Sequence, residues 1–124
     1  MKPFTLGLLL ISLALAASST GCKKEAQVDA TQALAQSFQS AEPEAKQAIE
    51  RVNTSLKVGN ITEATRTLEP LVVSRKLTEP QKEAIGVALR QINQAIAAKP
   101  ALDSKEMYDL RARMFQAVHS GPGF

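Results

Sequence analysis

TEPQKEAIGVALRQINQAIAA, residues 78–98, decides the fold. Ile85, Ala88, Leu89, Ile92, Ala95 and Ile96 recur at steps of three and four, which gathers them on one side of an α-helix. Thr78 with Gln81 three residues later forms a capping-box pattern, so the helix is expected over Glu79–Ala98. Pro100 follows and stops it.

The same reading works outward in both directions. Upstream, Asn60 with Glu63 marks another helix start, with Ile61, Ala64, Leu68 and Leu71 facing inward. Pro70 is expected to kink or end that helix, because proline removes a backbone donor and clashes with the preceding turn. Before it, Ala45, Ile49, Val52 and Leu56 are spaced 4, 3 and 4, with Pro43 in the first turn and Gly59 as the stop. A weaker first helix starts at Asp29, with Gln32 as its capping partner and Thr31, Leu34, Ala35 and Phe38 as its apolar face. Downstream, Asp103 with Glu106 opens a last helix carrying Met107, Leu110, Met114 and Val118, which closes at Gly121. No run alternates with period two, so strands are not expected. The fold class is therefore all-α: a small antiparallel bundle of two αα-hairpins, formed by helices 2–3 and 4–5. The first helix is a looser addition, and residues 42–121 are expected to fold without it.

The chain has 124 residues and a net charge of +3, with acids and bases interspersed from Lys23 to Arg113. That length is one domain. The mixed charges form no basic patch, which argues against nucleic acid and against strong attraction to anionic headgroups. Aromatic residues are few and there is no Trp. With one His and one Cys there is no His/Cys zinc cluster, and neither a metal nor any other cofactor is expected. Carboxylates gather at Glu79/Glu83 and at Asp103/Glu106/Asp109, but both groups fall in or near helix first turns, where acids favour the dipole. Glu79–Lys82 and Asp109–Arg113 have the spacing of helix neighbours. They read as solvated faces, and no catalytic residue is assigned. His119 reads as a surface or capping residue at a helix end.

The first residues read MKPFTLGLLLISLALAASSTGCKK. Lys2 supplies a positive start. An apolar run of 14 residues follows from Phe4 to Ala17, shorter than the ~20 needed to span a bilayer. Small residues then lead to the single cysteine, Cys22. Ser19-Thr20-Gly21-Cys22 resembles the bacterial lipobox, with Ser19 standing where that family prefers Leu. The resemblance implies a diacylglycerol on the Cys22 sulfur, cleavage between Gly21 and Cys22, and acylation of the new amino group. It also implies a cell-envelope location. Lys23, rather than Asp, after the cysteine implies sorting to the outer membrane, facing the periplasm, in a two-membrane organism. Two alternatives stand beside it. Ala17-Ser18-Ser19 or Ala16-Ala17-Ser18 also suits an ordinary signal peptidase, or the segment stays uncut. The domain boundaries that follow are a leader over 1–21, a lipidated tether over 22–28, a helical domain over 29–120 and an irregular tail over 121–124.

Leu56 to Ala64, then Leu68, resembles the middle of a tetratricopeptide repeat. Gly59 would end its first helix, Ile61 would open its second, and Ala64 would permit close approach. The family's earlier aromatic and Leu-Gly pair are replaced here by Ala48, Arg51 and Val52. A single copy would not form a stable solenoid.

The function these features imply is a membrane-anchored envelope module that docks an unidentified envelope protein without catalysis. The rivals are a structural spacer or wall tether and a carrier of a small apolar ligand. On the last helix Tyr108 and Phe115 fall beside the inward stripe. They are either core or the candidate partner surface.

Overall fold

The computed structural model describes residues 27–120. Cys22, Gly21, the leader and the 121–124 tail lie outside the described residues. Five α-helices run in order: α1 Thr31–Ser37, α2 Pro43–Lys57, α3 Ile61–Val73, α4 Glu79–Ala98 and α5 Lys105–His119, with a 3-10 turn at Pro100–Leu102 between the last two. The expected all-α bundle is what forms.

The boundaries follow local chemistry. α2 ends in a Schellman motif: Asn60 N–H reaches Ser55 C=O at 2.8 Å and Gly59 N–H reaches Leu56 C=O at 3.2 Å. Gly59 adopts φ +81°, a left-handed conformation that costs a residue with a Cβ. Asn60 then caps α3, accepting from the Glu63 N–H at 3.3 Å. α4 carries the complete capping box, with Gln81 N–H on Thr78 Oγ1 at 3.2 Å and Thr78 N–H on Gln81 Oε1 at 3.0 Å.

Pro70 neither ends α3 nor confines it, since the helix continues to Val73. Proline removes one donor, and both Pro70 and Arg66, whose carbonyl that donor would have met, lie on the exposed side. A carbonyl on that side is open to solvent, so the missing donor strands no buried group.

The directions alternate. Val28 and Ala30 meet Gln94 and Gln91 late in α4, while Ser37 C=O meets Gln81 at its start, so α1 and α4 are antiparallel. Arg66–Glu106 and Glu69–Arg113 pair α3 and α5 in the same direction. The helices close into a ring in the order α1, α2, α3, α5, α4. α5 packs on α3 more extensively than on α4, a pairing the hairpin expectation did not include. Such a closed ring differs from the open stacking of a solenoid.

The expected core positions of α2 to α5 are buried, save Ala95 and Val118, which are half-buried. The first helix needs correction. Ala30, Leu34 and Phe38 are buried, and Phe38 leads the fully buried side chains by volume, so α1 is a wall of the core and not a looser addition. The reason is spacing. Residues 30, 34 and 38 lie one above another on a single helix face. Ala35, expected inside, points outward. Ala30 and not Asp29 is the N-cap, and the Asp29 carboxylate accepts the Thr31 N–H and Oγ1 at 3.0 and 2.8 Å in place of the expected pairing with Gln32. The folding unit therefore begins at Val28, and residues 42–121 lack one wall of it.

Candidate functional site

α5 is built to be held on two flanks. Ser104, not Asp103, is its N-cap, accepting from the Met107 N–H at 3.1 Å. Asp103 instead takes Arg111 Nη2 at 2.9 Å, and Arg111 also reaches Asn93 of α4 at 2.8 Å. Asp103 lies just before the helix, where its carboxylate meets a side chain two turns on.

On the opposite flank, Arg66 of α3 donates twice to Glu106, at 2.8 and 2.9 Å. That pairing holds the Glu106 carboxyl below the usual glutamate range and raises the Arg66 guanidinium. Arg113 gives 2.7 Å to Glu69 of α3, which raises the Arg113 guanidinium. The expected Asp109–Arg113 pair does not form. Lys105 takes Asp109 at 2.8 Å, because Arg113 is drawn across to α3. Glu79 pairs with Lys82 at 3.4 Å, as its spacing implies. The acids of the Asp103/Glu106/Asp109 group are thus each engaged by a cation. Among the described residues no group of three His, Cys, Asp or Glu side chains could hold a metal ion.

Between the flanks one face of α5 stays open. Tyr108 is 64% exposed and Phe115 56%. The core reading of these two is therefore overturned. Ala112 and His119 are exposed on the same side, which at 100° per residue makes one stripe with Tyr108 and Phe115. His119 extends the apolar surface. Its ring stacks on Phe115 with centroids 4.1 Å apart, while Nδ1 lies 2.9 Å from the Phe115 carbonyl. The inward face of the helix carries Met107, Leu110 and Met114.

A second feature lies at the end of the bundle where the chain enters. A half-open cavity of about 590 Å³ is lined by Val28, Leu56, Ile61 and Leu102, with Lys57 and Lys99 among its charged residues. Gln91 and Gln94 border it and accept the Ala30 and Val28 N–H groups at 2.8 and 3.0 Å. Sequence reasoning passed over both glutamines. Their only signal is an i, i+3 amide pair flanking the apolar stripe of α4.

No helix among the described residues is long and apolar enough to cross a membrane. No family model, no curated protein and no solved structure matches the chain.

Proposed function

We propose that the chain is a lipid-anchored envelope protein whose helical domain docks another envelope protein and carries out no catalysis. The leader pattern ending in Ser19-Thr20-Gly21-Cys22 supports the anchor, through its resemblance to the lipobox. Two or three acyl chains hold a protein stably where one holds it only marginally. A single observation carries the docking half: Tyr108 and Phe115 stand in solvent, seven residues apart on one face of α5. Large exposed aromatic groups lend themselves to recognition, because a few such anchors dominate many interfaces. The helix beneath them is fixed by ion pairs to α3 and by Arg111 to Asn93.

The anchor is tested by mass spectrometry of the mature N-terminus, which should show acylated Cys22. An unmodified peptide beginning at Ser19 or Thr20 overturns it. Docking is tested by affinity capture from detergent-solubilised membranes with the lipidated chain as bait. Tyr108→Ala and Phe115→Ala should keep the denaturation midpoint and lose the captured protein. If both variants capture as well as the parent chain, the stripe is not the docking face.

A further inference from the structure

The entry point of the chain sets an orientation for the domain. The six residues Cys22 to Gln27 separate the anchor from Val28, and a fully extended chain of that length spans only about 20 Å. Val28 is itself pinned to Gln94 at 3.0 Å, and Ala30 to Gln91 at 2.8 Å, so the tether cannot lengthen by peeling without breaking those bonds.

The surface at that end is assembled from the α2–α3 turn, the close of α4 and the 3-10 turn. It carries Val58, 73% exposed, the most exposed large apolar side chain among the described residues. Three charged residues line the cavity there, Lys57, Lys99 and Asp29. The Asp29 carboxylate accepts from Thr31 and feels the charge of Lys57, and among the described residues neither Lys57 nor Lys99 closes an ion pair, so the two lysines outnumber the one acid at this end. Lys23 and Lys24 precede them in the tether.

We infer that the bundle stands end-on to the bilayer, with Val58 in the headgroup layer and Lys57 and Lys99 against the phosphates of anionic lipid. The inference depends on the anchored reading of Cys22. The anchor supplies the affinity, and this face supplies direction. Two lysines orient a tethered domain but do not recruit a free one, since stable attachment takes more than one weak signal. Interfacial side chains reach only the boundary of headgroups and acyl chains, about 5–10 Å in, which a residue like Val58 can attain while the helices stay in water.

The chain contains no Trp, so a single introduced one reports its own position. The full chain carrying Val58→Trp, or Gln39→Trp at the opposite end, is purified from membranes. Each is reconstituted in phosphatidylcholine–phosphatidylglycerol vesicles with brominated acyl chains, and the acyl mass at Cys22 is recorded. The Val58→Trp chain should lose most of its emission to bromine and shift to the blue, while the Gln39→Trp chain should do neither. Adding Lys57→Glu and Lys99→Glu to the Val58→Trp chain should restore emission. Equal quenching at both positions, or none at either, in protein that carries the acyl mass overturns the orientation and leaves the anchor standing. Quenching that survives the charge reversal overturns the lysine contact. Absence of acyl mass overturns the anchor, and the orientation with it.

Discussion

The side-chain carbonyl of Gln91, on α4, accepts the backbone N–H of Ala30 at 2.8 Å. Ala30 is fully buried, and its N–H lies just before the first turn of α1, where no helical partner exists for it. A residue 61 positions away in the chain thus completes the start of the first helix. Replacing Gln91 with Ala leaves that donor without a partner, at a cost of about 1–3 kcal/mol. We expect the Gln91→Ala chain to unfold at lower denaturant and to be cut faster by protease near residue 30. An unchanged midpoint would mean that water replaces the amide.

Phe38 should be among the most sensitive positions in the domain. It is 1% exposed and packs in the same core as Leu34, Ile49 and Ile85. Phe38→Ala removes the largest of the fully buried side chains and leaves a void, at about 3–5 kcal/mol. That is a large share of a typical stability of about 5–15 kcal/mol. Denaturation of Phe38→Ala beside Ala35→Ser, which lies on the outer side of the same helix, separates the two faces. If both variants melt alike, α1 does not contribute a wall.

Thr65 is fully buried, yet its hydroxyl is satisfied locally by the Ile61 carbonyl at 2.8 Å. That carbonyl also holds its ordinary helical bond, so removing the hydroxyl strands nothing. Thr65→Val should therefore lie within about 1 kcal/mol of the parent chain, on the stabilising side where the added methyl fits. Calorimetry checks it. A loss of several degrees in Tm would place a further polar contact on Thr65.

The Arg66–Glu106 pair gives the fold a term that fades in acid. Arg66 lowers the Glu106 pKa, first through its hydrogen bonds and then through its charge. A carboxyl whose folded pKa is depressed stabilises the fold above its unfolded value, about 4.3, and loses that contribution as pH falls through the folded value. The window is therefore on the acid side of the ordinary glutamate range. Between about pH 6 and pH 3 the parent chain should lose more Tm than the Arg66→Gln chain, and added salt should shrink the difference. Equal losses would show that this exposed pair adds nothing.

Much of this molecule is readable from its residues, because its helices are amphipathic and well capped. Thr78–Gln81 and Asn60–Glu63 are local signals, and both act at the positions they occupy in the sequence. Of the expected α1 face Thr31, Leu34 and Phe38 are buried and Ala35 alone turns outward, because so short an apolar set does not choose between Ala33 and Ala35 without a neighbour to pack on. Arg113 was misassigned for a related reason. Asp109 is four residues away in sequence, but Glu69 approaches only after α3 and α5 are side by side. The exposure of Tyr108 and Phe115 has the same origin. Their angle on α5 is fixed by the sequence, whereas the width of the neighbouring wall is a property of the whole ring. The resemblance of residues 19–22 to a lipobox concerns residues outside the described ones and rests on the sequence alone.

An odd number of alternating helices gives the bundle two unlike poles. The chain comes in at one and leaves at the other, whereas a four- or six-helix version would bring both termini to the same side. A peptide joined after Ser120 would therefore project from the pole opposite Val28, about 30 Å away along the 20 residues of α4. Deleting or duplicating one hairpin keeps that polarity, because two helices cancel. One further alternating helix joined after Ser120 would undo it, and a reporter fused beyond that helix would sit beside the entry of the chain without any change in its own sequence.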